Sequence, residues 1–348
     1  MAHPLSREFC RPMAGQKFIV SGRRYVLGGS LGDGAAGLVR KASGEDNREY
    51  AVKFLAPDPK YIEESAFNDV AVRFKREGER GVHLQHQNLL QIYSYCQNED
   101  GNAFESDDPK NPFLLMEQIK GKTLESFIKK RTQKAFDITR RRLNIAIQIA
   151  SALSEIHRNR LIHRDVKPAN IFLVAKLQTS VIPTIKLGDF GIVKWGDFHS
   201  SLTTGVLTAT NQKGLGTMKY MAPEQAIAPR DVTVRADIFS LGITLYELFS
   251  GQILATPCHV FEIINARQAR GTTYSRYMTL GFHLQEPDER IAEVLLDMMR
   301  RGVTQRPSIQ QVLENFETEY EKRYDIDWES DLAESQEEGR PGDSWDDD

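Results

Sequence analysis

Apolar and polar residues alternate through the first third of the chain, and that alternation predicts strands rather than helices. Lys17–Val20 and Arg24–Leu31 are two such runs, joined at Ser21-Gly22, a pair suited to a hairpin turn. Leu38–Ala42 and Tyr50–Leu55 come next, then Leu89–Cys96 and Pro112–Glu117, with polar Gln97–Asn111 between the last two read as a surface loop. Glu64–Gln85 reads as a helix, although Gly78 and Gly81 fall inside it. Each interior glycine costs roughly 0.5–1 kcal/mol relative to alanine. Past Thr123 the pattern turns helical. Thr123–Arg131 is short, and Thr139–Arg158 carries Leu143, Ala146, Ile147, Ile149, Ala150, Leu153 and Ile156 at helical spacing. Ile238–Phe249 is a very apolar helix, and Ile309–Arg323 is the last one.

Composition changes this picture mainly at the ends. The 348 residues, 40% apolar and 27% charged, are ordinary for a soluble globular protein and allow one to three domains. A net charge of −3 argues neither for nucleic acid nor for a membrane surface as the main partner, and none of either is expected. Residues 321–348, however, hold twelve acidic and three basic side chains, a net of −9. With Gly339, Pro341, Gly342 and few apolar residues, this tail is expected to be disordered after about Trp328. Cys10, Cys96 and Cys258 are odd in number and far apart, which fits a reducing cytoplasm. Neither a leader pattern nor a run of about 18 apolar residues occurs, so the expectation is a cytoplasmic protein without a membrane anchor. Met1–Gln16 should be ordered only where it packs on the strands C-terminal to it.

The densest chemistry lies in Leu161–Phe190. Asp165 follows His163 and Arg164, Lys167 and Asn170 come next, and Asp189 opens an Asp-Phe-Gly triplet. Two aspartates, an asparagine and a lysine at these spacings suit metal-assisted phosphoryl transfer, in which rate comes from positioning and charge neutralisation. Any one of them alone reads more readily as part of a solvated loop. A second signal is Gly32-Asp33-Gly34-Ala35-Ala36-Gly37. A dinucleotide-binding fold wants a helix directly after such glycines, whereas here a strand continues. Lys53 then interrupts the apolar strand Tyr50–Leu55, and a buried ammonium needs anionic partners.

In this order the motifs resemble those of the protein kinase family, Ser/Thr type, over Tyr25–Phe316, and VKPANI and YMAPEQ are similar in wording to the bacterial Hanks-type members. The resemblance implies an α+β, two-lobed fold. A small antiparallel N-lobe with one regulatory helix would span 17–118 and a mainly helical C-lobe 119–323, flanked by an extension (1–16) and the acidic tail (324–348). It implies transfer of the γ-phosphate of ATP to Ser or Thr hydroxyls of proteins, with Mg²⁺ or Mn²⁺. Asp165 would be the catalytic base, Lys167 would lie near the transferred phosphate, and Asn170 and Asp189 would be the metal ligands. Gly32, Gly34 and Gly37 would let backbone N–H groups approach the phosphates. Leu31, Val39, Ala51, Met116 and Phe172 are assigned to the nucleotide site, Val39 over the adenine and Met116 at the back. The backbone at Glu117 and Ile119 would bond the adenine.

Lys53 would pair with Glu77, with Glu79 as second choice. Ala36 stands where the family often has a large residue, so the loop is expected to be more mobile than usual. Gly81 replaces a large apolar residue that helps lock the active state, so the helix is expected to be marginal and the Lys53–Glu77 pairing regulated. Asp189–Glu224 would be the activation segment, with Thr217 contacting Asp165 and Lys167. Arg164 offers a fork for phosphate, and autophosphorylation is expected within Ser200–Thr210, where Ser200, Ser201, Thr203, Thr204, Thr208 and Thr210 cluster. Modification of one copy by another implies a transient homodimer. Asp237 either caps its helix or holds the catalytic-loop backbone, and the arginine preceding Pro307, Arg306, would pair with Glu224. Lys176–Pro183 reads as a surface insertion without function. Two rivals stay open: a scaffold without activity, supported only by Gly81, and a small-molecule kinase, against which the peptide-seating segment Gly216–Glu224 argues. Surface residues that choose protein substrates leave no readable pattern.

Overall fold

Strands that carry large apolar side chains on alternate positions can bury them only by pairing in a register that brings those positions to one face. In the computed structural model, which describes residues 5–10, 12–34, 36–60, 62–97, 104, 111–129, 138–174, 182–189, 219–227, 232–251 and 289–337, six strands do so. They are β1 (Lys17–Val20), β2 (Arg23–Asp33), β3 (Gly37–Gly44), β4 (Glu49–Leu55), β5 (Ile92–Cys96) and β6 (Phe113–Glu117), antiparallel in the order β1-β2-β3-β4-β6-β5. Phe18 lies opposite Tyr25, Leu38 opposite Phe54, and Phe54 opposite Phe113. These side chains share one face and, with Leu27, Cys96 and Phe104, form a buried core. The Phe18 ring sits 5.3, 4.9 and 5.6 Å from those of Tyr25, Phe104 and Phe113.

Helix α1 (Phe67–Gly81) packs on β5, entered through a short 3-10 turn at Glu64–Ala66, so it is shorter at both ends than its composition predicts. Gly78, inside the helix, and Gly81, its last residue, both lie on the packed face. A Cβ at Gly78 would come within 2.7 Å of Tyr95 and 2.6 Å of Leu114, and one at Gly81 within 2.5 Å of Ile92 Cδ1. The glycines therefore let the helix backbone approach the sheet, so their lower helix propensity comes with close packing. The two sites should respond differently. Gly78→Ala, which presses on Tyr95 Cβ near the backbone, is expected to destabilise by about 1–3 kcal/mol, whereas Gly81→Ala, which meets only the end of Ile92, should stay within about 1 kcal/mol of the parent. Urea unfolding midpoints of the two variants decide this, and the reverse ranking would refute the packing explanation.

Described residues up to Gln85, with those in Leu90–Ile119, make up this unit, and His86–Leu89, Lys120–Asp189 and those from Lys219 onward make up a second. The second holds a small sheet of β7 (Lys122–Thr123), β8 (Ile171–Leu173) and β9 (Ile185–Leu187). Its helices are α2 (Leu124–Lys129), α3 (Ile138–Arg158), α4 (Pro223–Ile227), α5 (Arg235–Ser250), α6 (Glu289–Met298), α7 (Ile309–Tyr324) and α8 (Trp328–Glu337). Among the described residues no helix is long and apolar enough to cross a membrane.

Helix α3 is buried along most of its length, including two amides one turn apart, Asn144 and Gln148. Buried amides must be satisfied, and these are. Gln148 Nε2 donates to Asn144 Oδ1 (2.8 Å) and to the Pro183 carbonyl (3.0 Å), while its Oε1 accepts from Asn88 Nδ2 (2.8 Å) and the Ile185 N–H (2.9 Å). The ladder fixes β9 against α3.

Helix α8 corrects the expectation of disorder after about Trp328. Trp328 and Leu332 are buried, the Trp328 indole N–H donates to Glu317 (3.1 Å), and Asn144 Nδ2 donates to the Trp328 carbonyl (3.0 Å). Asp331, also buried, accepts from Arg140 Nε and Nη2 at 2.7 and 2.8 Å and from the Tyr320 hydroxyl. Composition counts apolar residues; here a few of them, gathered on one helical face and backed by a half-buried ion pair, are enough.

Candidate active site

The chain leaves α3 and enters the loop His163–Asn170 with its backbone held from outside. Asp237, wholly buried in the first turn of α5, accepts the main-chain N–H of His163 (2.8 Å) and Arg164 (2.7 Å) and the Nε2–H of His157 (2.9 Å). Burial pushes its carboxyl up, but the His157 hydrogen bond, the neighbouring charges and the His163 N–H outweigh this and leave it below the usual carboxylate range. Of the two roles open to Asp237 the backbone clamp is the one formed, and α5 has no side-chain cap. The clamp matters because Arg164 has φ +65°, a left-handed conformation uncommon outside glycine.

Burial lowers the pKa of His163 below its ordinary value, which favours the neutral ring. Its Nε2 faces the Gly188 carbonyl at 3.2 Å and must carry the hydrogen, leaving Nδ1 to accept the Asp165 N–H at 3.3 Å. One ring thereby ties the loop to the segment that carries Asp189. The Gly188 N–H donates to the Asn170 carbonyl (2.9 Å), a second tie.

The structure brings Asp165, Lys167 and Asn170 together. The nearly buried Asp165 has Lys167 Nζ at 3.0 Å from Oδ2, and Asn170 Nδ2 donates both to that oxygen and to the Asp165 carbonyl at 2.8 Å. With its NH₂ engaged on Asp165, Asn170 turns its amide oxygen away from that carboxylate. Asp189 is exposed, at φ +56°. An amide oxygen and a carboxylate are donors of the kind a hard cation takes. Among the described residues no group of three or more His, Cys, Asp or Glu could hold a metal by itself. Phe172 lies on β8, opposite Thr123 and Lys186.

In the first unit, Lys53 Nζ lies 3.2 Å from Glu77 Oε1, whose side chain is only 2% exposed. Glu79 instead points to water and pairs with Lys75, so Glu77 is the partner. Val39 lies opposite Lys53, and Ala51 opposite Met116, so all four share the sheet face reverse to the core. Leu31 is exposed at the end of β2. The loop glycines differ in what demands them. At Gly37 a Cβ would lie 2.4 Å from the Phe54 carbonyl oxygen, whereas Gly32 and Gly34 are uncrowded. The Gly34 N–H donates to the Gly37 carbonyl (2.9 Å), and Arg40 pairs with Asp33 (2.9 Å) at the base of the loop. The Glu117 N–H already donates to the Gln91 carbonyl (2.9 Å), so a backbone bond from Glu117 to a ligand must come through its carbonyl. Ile119 is half-buried.

Thr217 and Ser200–Thr210 lie outside the described residues. Beyond them, Glu247, wholly buried on α5, takes Lys219 Nζ (2.8 Å) and the Tyr220 hydroxyl (2.7 Å). Arg306 bonds both oxygens of Glu224 at 2.5 and 2.8 Å. Glu247 and the amides of α3 escaped sequence reasoning, although polar residues inside otherwise apolar helices were visible there.

The protein kinase domain family matches residues 25–316. The serine/threonine-protein kinase PrkC of Bacillus subtilis is 32% identical over 234 residues, 67% of this chain and 31% of that protein. The serine/threonine-protein kinase PknB of Mycolicibacterium smegmatis is 30% identical over 313 residues, 84% of this chain and 45% of that protein. The chain thus spans less than half the length of either relative. The crystal structure of the Mycobacterium tuberculosis PknI kinase domain shares the fold, with a TM-score of 0.59 at 23% identity over 89% of this chain and 100% of that one. With the family match running from the strand that opens the Gly-rich loop to the helix that follows Arg306, the chain belongs to the protein kinase domain family.

Proposed function

We propose that the chain is a Ser/Thr protein kinase that moves the γ-phosphate of ATP to serine or threonine hydroxyls of proteins, with Mg²⁺ as its metal. The observation that carries this is the buried Asp165 carboxylate held between Lys167 and Asn170, together with family membership. Asp165 orients the acceptor hydroxyl and takes its proton; Lys167, beside it, meets the charge on the transferred phosphate. Lys53, held by Glu77, positions the phosphates of ATP, and the loop from Gly32 to Gly37 covers them. Val39, Ala51, Met116, Leu31 and Phe172 receive the adenine, with the Glu117 carbonyl and the Ile119 N–H bonding its edge. Asn170 Oδ1 and Asp189 hold the metal, which when bound neutralises charge on the phosphate oxygens. Thr217 completes the acceptor site, and Ser200–Thr210 receives a phosphate that Arg164 grips.

The relatives named above as serine/threonine-protein kinases support this reading. So does the formed Lys53–Glu77 pair, while Gly81, once the one feature favouring a scaffold, has a packing explanation. The test is incubation of the purified protein with Mg²⁺, radiolabelled ATP and a generic protein substrate, followed by phosphoamino-acid analysis and mass-spectrometric mapping. Label on serine and threonine, including a residue within Ser200–Thr210, is the expected result. ATP binding without any label, or label on tyrosine alone, would overturn the reading.

A further inference from the structure

The N-terminal extension is not an idle lead-in. Leu5–Cys10 is pinned to the first unit by main-chain bonds: the Arg7 N–H donates to the Pro57 carbonyl (3.0 Å), and Asn111 Nδ2 donates both to the Leu5 carbonyl (3.2 Å) and to that of Leu55 (2.7 Å). Ser6 and Cys10 are buried, Cys10 within the core cluster. The segment thereby presents Arg7 to the Gly-rich loop. Arg7 Nη1 pairs with Asp58 at 3.2 Å, while Nη2 donates to the Gly34 carbonyl and, at 3.4 Å, to the Gly37 carbonyl. One planar guanidinium joins the segment that follows β4 to two of the three loop glycines.

We propose that Arg7 is a positioning residue for nucleotide: by holding the carbonyls of Gly34 and Gly37 it sets the shape of the phosphate-binding loop before ATP arrives. Holding both carbonyls from outside restrains the backbone on either side of the loop tip, and backbone N–H groups are what such a loop offers a phosphate. Glycine-rich backbone is otherwise free to wander, and Ala36 brings no large side chain to restrain the tip. An external tie reduces what must be ordered on binding. The role lies in binding rather than in chemistry, and for its nucleotide part it rests on the kinase reading above.

The experiment compares the full chain with Arg7→Ala and Arg7→Lys in two measurements. Hydrogen exchange of the nucleotide-free protein should be about fivefold faster across residues 32–38 in Arg7→Ala, with β5 and β6 unchanged. The KM for ATP should rise about fivefold with kcat altered less than twofold, and Arg7→Lys, which keeps charge but loses the fork, should fall between. Unchanged loop exchange overturns the proposal, as does an unmoved KM accompanied by a lower unfolding midpoint, which marks a purely structural role. If the wild type transfers no phosphate, the kinase reading fails, and the exchange measurement still decides whether Arg7 shapes the loop.

Discussion

Asp165→Asn is expected to lower kcat by about a thousandfold while leaving the KM for ATP within about twofold and the unfolding midpoint unchanged. Asparagine matches aspartate in shape and keeps an acceptor for Lys167 Nζ, so the loop clamped by Asp237 and His163 retains its form. On the proposed reading, what is lost is the negative charge that draws the acceptor proton. Steady-state kinetics on a protein substrate, beside a denaturation curve, separate the two effects. Residual activity above a tenth of wild type would remove Asp165 from the role of base. Asn170→Ala should behave differently, because it removes two bonds to Asp165 and, on the proposed reading, a metal donor as well. Its loss should be partly recovered by raising the metal concentration, whereas that of Asp165→Asn should not.

Replacing Arg306 by leucine should destabilise the second unit by about 3–5 kcal/mol, the range found when one partner of a buried ion pair is removed. The Arg306 side chain is wholly buried. Besides Glu224 it serves the carbonyls of Arg300 (2.7 Å) and Arg235 (2.9 Å), and it lies 4.9 Å from the Phe239 ring centroid. Leucine would leave a carboxylate and those carbonyls without their donor. Lysine should rescue less than half, since a single ammonium cannot reproduce the fork. Chemical denaturation followed by circular dichroism measures the change, and a loss below about 1 kcal/mol would show that water enters and replaces the guanidinium.

Much of the site was legible because its chemistry lies in short contiguous stretches. His163, Asp165, Lys167 and Asn170 sit within one loop, and the period-two alternation from Lys17 to Glu117 was enough to place Lys53 and Val39 on a sheet. Glu77 could be named from its place in a motif, but only the packed helix shows it buried and Glu79 in water. The misreadings share a physical origin: each concerned a residue whose partner lies far along the chain. A glycine in a helical sequence registers as a loss of propensity, since the Ile92 and Tyr95 side chains that would meet its Cβ belong to a strand read separately. Arg7 is a lone charge in a polar lead-in until the fold delivers it to Gly34. The acidic tail was judged by how many apolar residues it has, when the spacing of Trp328 and Leu332 on one helical face mattered more.

Helix α8 also bears on where this domain can be cut. The family match stops at residue 316, inside α7, whereas the Trp328 carbonyl and the Asp331 carboxylate, both C-terminal to it, bond the Asn144 and Arg140 side chains of α3. A recombinant fragment ending at the family boundary would strip the Asn144 amide of its carbonyl, leave the Arg140 guanidinium facing solvent, and lay bare the apolar surface that Trp328 and Leu332 cover. Exposed surface of that kind drives self-association, so a fragment that keeps this packing must run at least through α8, to Glu337.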